Sequence, residues 1–487
     1  MLTFKHGAAF VVLALLVGAL VVDVSLSANA PETASPRNAP GPVMLQTAIL
    51  DQPAFAGQRS KAAFSKVADA GATFVRLVLD WRAVAPETLR ADFSALNPGS
   101  PRYDWKNFDF QVRAAKRHGL QPIVDIAAAP AWATARTMRG GPHKPDAARL
   151  ADFAKAAALR YSGGFKGLPR VRYWQLWNEP NLAINLRPQF VGAALYSPHW
   201  YRRMLNAFAG AVHEVHADNL VIAGGTAPFT TRAGKRSSWG PGPLLFLRTM
   251  LCFSKKLQPT CSQKAHFDIW AHHPYTSGGP NHHANIRDDV SIADLPRMKA
   301  VLDIGVSTGQ IVSRQKLRFW VTEFSWDTNP PDPNAMPLAL QTRWVSEALY
   351  RMWTSGVSLV TWFSLADQQH GVSPYQSGLY FGNGIPKSTL RAFRFPFVAY
   401  LKAGVIDVWG RTPSSKRGTV AIEQQSGGAW HRVGTVNTNP FGIFRTSYLS
   451  TGRGELRARL IGPLRGVSQP FSLEEPPDAF YRPFGEP

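Results

Sequence analysis

At 487 residues the chain is too long for one small domain and suits a large barrel plus an appendage. Hydrophobic residues make up 45% and charged residues 18%, which excludes a chain disordered beyond its ends. The formal charge of +22 attracts polyanions, but the basic residues are spread along the chain without a helix-turn-helix, zinc-finger or RNP pattern. Specific nucleic-acid binding is therefore not expected, and an anionic polysaccharide or cell envelope is the better partner for that surface.

Lys5 and His6 precede an apolar run over 8–22, followed by Ala28-Asn29-Ala30 before Pro31. This reads as an export signal over 1–30, shorter than the ~20 residues of a spanning helix. It predicts a secreted or extracellular protein, or one anchored through an uncleaved signal. Residues 31–41, rich in Pro, Ala and Ser, read as a linker. Strand-like runs then follow at 43–50, 73–80, 121–127, 171–177, 219–224, 267–272, 317–322 and 358–363. Helical patterns lie between them, at 59–70, 107–118, 146–161, 198–217 and 338–355. The runs are continuously apolar, as strands buried on both faces should be. Gly71 and Gly119 stand where helix C-caps belong. The alternation predicts an α/β fold, a (β/α)8 TIM barrel over 42–402. After Tyr400 short strand-like runs (405–409, 418–423, 430–435, 455–461) predict a small C-terminal β-sandwich over 403–473, with a tail over 474–487. Cys252 and Cys261 are close enough in sequence to form a disulfide in an oxidising compartment.

Polar residues at the C-terminal ends of barrel strands are the expected catalytic positions. The fourth strand ends Trp177-Asn178-Glu179-Pro180-Asn181, the sixth His272-His273-Pro274-Tyr275, the seventh Val321-Thr322-Glu323 and the eighth Thr361-Trp362-Phe363-Ser364. Cleaving a glycosidic bond needs two carboxyl groups flanking the sugar, and strands four and seven face each other across a barrel mouth. Asn178-Glu179-Pro180 with Glu323 in this register resembles the clan of retaining barrel glycosidases that includes cellulase-like family 5 and xylosidase-like family 39. The resemblance spans about 42–400. It implies Glu179 as acid/base, Glu323 as nucleophile and Asn178 on the sugar 2-hydroxyl. It also implies Arg76 keeping the nucleophile ionised, Tyr275 or His273 orienting it, and Trp362 as the aromatic floor under the reacting sugar. Hydrolysis of O-glycosidic bonds in a poly- or oligosaccharide follows, by a monomer without cofactor. The alternative is an inactive barrel that binds carbohydrate or the cell envelope.

His272-His273 and His282-His283 lie in Pro- and Gly-rich surroundings without metal-ligand helical spacing, so no metal is expected. Trp81, Trp132, Trp174, Trp177 and Trp326 are expected to divide between core and sugar-stacking positions.

Overall fold

The computed structural model describes residues 41–484 except 57–59, 139–140, 233–238, 414, 451, 453 and 463–464. The expected export signal over 1–30 and nearly all of the linker lie outside the described residues. Among the described residues no helix is long and apolar enough to cross a membrane.

Eight parallel strands close into a barrel: β1 (Gln46–Leu50), β2 (Phe74–Asp80), β3 (Gln121–Ala127), β4 (Tyr173–Leu176), β5 (Leu220–Thr226), β6 (Ile269–His272), β7 (Arg318–Val321) and β8 (Val357–Phe363). Each pairs with its chain neighbours, and β1 closes on β8 from Gln46↔Leu359 to Leu50↔Phe363. The helices that follow the strands are α1 (Ser60–Asp69), α2 (Lys106–Arg117), α3 (Ala147–Arg160), α4 (Ser197–Val215), α5 (Pro243–Met250), α6 (Leu295–Ser307), α7 (Leu338–Thr354) and α8 (Ser388–Arg394). All eight expected strands form within a few residues of their sequence bounds.

Side chains alternate along a strand, and this sorts the barrel into two cores. Ala48, Phe74, Ile123, Ile222, Ile269, Trp320 and Leu359 fill the interior toward the N-terminal ends. The alternate positions, such as Val75, Leu77, Val124, Trp174, Val360 and Trp362, pack outward against the helices. Two positions further along from the interior apolar residues, the same inward face carries Arg76, Asp125 and Gln175. The polar site is thus laid on the apolar plug by strand register.

Helix boundaries follow local chemistry. The Asp146 carboxylate accepts from the backbone N–H groups of Ala148 and Arg149, both at 2.9 Å, which starts α3 and contributes about 1 kcal/mol. Gly71 and Gly119 follow α1 and α2 with φ of 76° and 72°, the left-handed conformation that ends a helix. α2 buries Phe108, Gln111, Val112, Ala114 and Ala115 on one face.

The appendage is a β-sandwich of two antiparallel sheets. One joins β9 (Phe397–Lys402), β10 (Val405–Arg411) and β13 (Ile443–Leu449). The other runs in the order β12 (Ala429–Asn437), β11 (Thr419–Ser426), β14 (Glu455–Ile461) and β15 (Phe471–Ser472). The module begins earlier than the expected residue 403. β9 pairs with β10 along its whole length, from Phe397↔Gly410 to Lys402↔Val405. The turn between them is Ala403-Gly404 with φ of 48° and 76°, the two-residue hairpin geometry that matches strand twist. The boundary at 403 therefore fell inside a hairpin. Cys252 and Cys261 are joined by a disulfide with their Cα atoms 5.6 Å apart. Residues 474–484, expected as a tail, lie against the loops after β6 and β7 rather than trailing away from the barrel.

Candidate active site

The turn after β4 is pinned before any chemistry is asked of it. Trp177 and Glu179 both adopt positive φ, 67° and 43°, which is strained for residues with a side chain. The Glu179 N–H donates to the Gly225 carbonyl at 2.9 Å. Gly225 itself has φ of 56°, and a Cβ there would stand 2.9 Å from the Gln175 amide nitrogen. Asn181 bridges to the next strand: its Nδ2 donates to the carbonyls of Ala227 and Pro241, and its Oδ1 accepts from the Ala227 N–H. The Trp177 indole donates to the Asn185 carbonyl at 2.8 Å. These bonds over-determine a strained turn, as a held functional group requires.

Across the mouth, Glu323 lies just beyond β7. Arg76 of β2, itself buried, donates from Nη1 to Glu323 Oε2 at 2.8 Å. Its Nη2 donates to Asp125 Oδ2 at 2.6 Å and to Asn178 Oδ1 at 2.7 Å. The Tyr275 hydroxyl donates to Glu323 Oε1 at 2.8 Å. Each Glu323 oxygen therefore has a donor. Asn178 spends its oxygen on Arg76, leaving its amide N–H groups as what it can offer a ligand.

Tyr275 and His273, which the sequence left as alternatives for one task, do different things. His273 is fully buried, with Nδ1 3.1 Å from Glu179 Oε1 and Nε2 3.1 Å from Thr322 Oγ1. It stands 3.9 Å from Glu323. Burial lowers the His273 pKa to about 3, so the imidazole is neutral near neutral pH. Burial also raises the Glu179 carboxyl to about 7, although the Arg76 charge pulls the other way. Burial raises Asp125 to about 6 against the pull of Arg76. Oxygen atoms of Glu179 and Glu323 and a nitrogen of His273 all lie within 4.8 Å of one another. Two carboxylates and an imidazole could in principle hold a divalent cation. Here Arg76 is already a fixed positive charge on Glu323, which works against a second one.

Trp362 requires a correction. It is fully buried, its indole donates to the Ser377 carbonyl at 2.8 Å, and it packs between Phe324 and Phe393. It shares strand parity with Val360, facing the helices, and so has no open ring face. Phe363, one residue on, shares the inward parity of Leu359 and Thr361 and is half-buried at the mouth. Its ring meets Tyr375 at 5.0 Å and Phe484 at 6.2 Å. The other tryptophans resolve toward the core. Trp81, Trp174, Trp177 and Trp326 are fully buried, and Trp132 is partly buried with its indole on the Pro86 carbonyl.

Sequence reasoning left out Asp125, Thr322, Tyr375, Phe363 and Phe484. Asp125 carried a usable signal: a carboxylate in an apolar strand, on the same face as Arg76 one strand away. Tyr375 sits on the loop after β8, which is fixed from below. The Gln376 and Gly378 N–H groups donate to Asp327 and Asp367, and buried Lys387 bonds Asp367 at 2.7 Å. The neighbouring Glu323 and Glu179 charges add to burial in raising the Tyr375 phenol.

Two glutamates closing on one point at the mouth of a (β/α)8 barrel, one bonded by an arginine and a tyrosine and one raised toward neutral pH by burial, define a barrel glycoside hydrolase. Residues 42–324 match the cellulase family, glycosyl hydrolase family 5, and the chain belongs to that family. No curated protein matches the sequence. Among solved structures, a family 39 glycoside hydrolase from the gut symbiont Bacteroides cellulosilyticus WH2 is 16% identical, with 84% of this chain and 81% of that chain covered and a TM-score of 0.52. A glucosidase from Croceicoccus marinus is 12% identical over 83% of this chain and 93% of that one, at a TM-score of 0.47. A family 1 β-glucosidase from Thermotoga maritima is 13% identical over 73% and 98%, at 0.46. At these identities the first likeness speaks for the fold alone.

Proposed function

We propose that the protein hydrolyses O-glycosidic bonds of an oligo- or polysaccharide with retention of anomeric configuration, Glu323 being the nucleophile and Glu179 the acid/base. The observation that carries this reading is the approach of the two carboxyl groups. An oxygen of Glu179 lies within 4.8 Å of an oxygen of Glu323. Retaining enzymes hold their carboxyls ~5–5.5 Å apart, whereas inverting ones leave ~6.5–9.5 Å for a water.

Glu323 attacks the anomeric carbon while the Glu179 proton passes to the departing glycosidic oxygen, so that bond breaks as the glycosyl–Glu323 ester forms. Glu179, now ionised, takes a proton from water, and the oxygen of that water displaces Glu323. Arg76 and Tyr275 fix the two oxygens of the nucleophile, and burial favours the protonated acid. Asn178 offers its amide to the 2-hydroxyl, and neutral His273, itself bonded to Thr322 through Nε2, holds the Glu179 carboxyl in place through Nδ1.

Proton NMR of the first-formed anomer from an aryl glycoside tests the reading, and an inverted product would sink it. Glu323→Gln is expected to abolish turnover. Glu179→Ala should keep glycosylation of substrates with good leaving groups and recover turnover with azide, yielding a glycosyl azide.

A further inference from the structure

The last described residues, 474–484, have no regular structure, yet they are bound to the mouth. The Tyr481 carbonyl accepts from the Gly278 N–H, in the loop after β6, at 2.8 Å. The Pro483 carbonyl accepts from the Asp327 N–H, in the loop after β7, also at 2.8 Å. Acceptors two residues apart register this segment like a strand edge along the two loops that flank Glu323. Asp478 meets His282 at 2.8 Å, and the Tyr481 ring meets Trp344 at 6.5 Å. Pro476, Pro477 and Pro483 restrict the unbound segment and so lower the entropy lost on fixing it.

These anchors deliver one side chain to one place. The Phe484 ring lies 4.8 Å from Tyr275, 5.2 Å from Tyr375 and 6.2 Å from Phe363. Tyr275 is the residue bonded to Glu323. Phe484 is only half-buried, so its ring is not sealed into the core. Aromatic rings beside a few fixed polar groups are what a sugar-sized site uses, since pyranose rings present apolar C–H faces to stack on.

We propose that residues 476–484 form a strap belonging to the substrate site, and that Phe484 contacts the reacting sugar, forming with Phe363 and Tyr375 the aromatic wall beside Glu323. The inference rests on the glycosidase reading above and adds a substrate-contacting residue from outside the barrel. It also supplies what the buried Trp362 does not.

The test uses the full chain as wild type, Phe484→Ala, Phe484→Leu, Phe484→Tyr and Leu449→Ala, the last an exposed residue of β13 in the sandwich. Each is assayed for kcat and KM on a panel of 4-nitrophenyl glycosides and for thermal midpoint. Phe484→Ala and Phe484→Leu are expected to raise KM about tenfold, the loss of roughly one ring contact. Phe484→Tyr should restore KM, and Leu449→Ala should leave it unchanged. The acid limb of the pH profile should stay where it is in wild type, which a residue acting only through Tyr275 would move. Unchanged KM in a folded Phe484→Ala overturns the proposal, as does an acid-limb shift matching that of Tyr275→Phe. Should the alanine variant fail to fold, the leucine variant decides by the same criteria. A wild type silent on the whole panel is a failure of the glycosidase reading, and the strap proposal falls with it. An active wild type with indifferent Phe484 variants removes the strap alone.

Discussion

Glu179 and Glu323 are chemically the same side chain, separated in behaviour by their neighbours. Glu323 receives Arg76 and Tyr275, while Glu179 has burial and a neutral imidazole. With the Glu179 carboxyl near 7, kcat/KM should fall as pH rises through about 7, because the ionised form has no proton to give. In Glu179→Ala, assayed with a good leaving group, that alkaline limb should vanish; its persistence would assign it elsewhere. The same shift has a consequence for stability. A folded-state pKa raised from 4.5 to about 7 makes the ionised form unfavourable in the native protein. The associated stability is present below the unfolded value and is lost as pH rises through the folded one. Relative to wild type, Glu179→Gln should thus gain stability between pH 5 and pH 8, by about 3 kcal/mol as a ceiling. Urea unfolding at the two pH values measures this, and an equal difference at both would refute it. The two glutamates and Arg76 were legible in sequence because charged residues at apolar strand ends stand out. Asp125 was equally visible in kind, but only strand pairing shows that it shares Arg76. Phe484 gave no signal, since 161 residues separate it from Glu323 and no periodicity connects them.

At the scale of elements, one strand separates two roles by parity. β8 turns Trp362 to the helices and Phe363 to the mouth. Trp362→Ala should cost about 3–5 kcal/mol of stability, as a large buried side chain leaves a cavity and the Ser377 carbonyl loses its donor. Phe363→Ala should cost far less and act mainly on KM. Denaturant midpoints beside steady-state kinetics separate the two, and a reversed pattern would mean that the parity argument fails. Counting in twos from Leu359 would have found Phe363; reading the aromatic by type alone found Trp362. The barrel strands were plain because each is a short run of Val, Ile, Leu and aromatics between turns. α5, α6 and α8 were not singled out: α5 and α6 open on or next to a proline, and α6 contains Gly305 and several β-branched residues, which weaken the helical pattern. β9 follows α8 after only Phe395 and Pro396, so the composition does not change where the architecture does.

The whole molecule is held together by an aromatic and polar seam between barrel and sandwich. Trp409 of β10 lies 5.4 Å from Tyr350 and 5.5 Å from Trp353, both on α7. Arg343, also on α7, sits 4.1 Å over the Phe471 ring of the second sheet and donates to the Ser472 carbonyl. Arg411 is fully buried and donates to the carbonyls of Leu45 and Phe393 and to the Thr47 hydroxyl. Burial lowers its pKa to about 10, so it stays charged at neutral pH and depends on those acceptors. Asn439 donates to the Val43 carbonyl, tying the sandwich to the chain entering β1. Interfaces that let domains move freely are small and polar, and this one seats tryptophan and tyrosine from both sides. The barrel and sandwich should therefore unfold as one unit. Calorimetry is expected to give a single transition whose midpoint drops in Arg411→Ala without splitting. Two resolved transitions in the wild type would show the sandwich to be an independent appendage. A soluble, active barrel obtained by ending the chain before Phe397 would show the same, since that truncation uncovers Tyr350 and Trp353 and removes the acceptor-bound guanidinium from the base of β1.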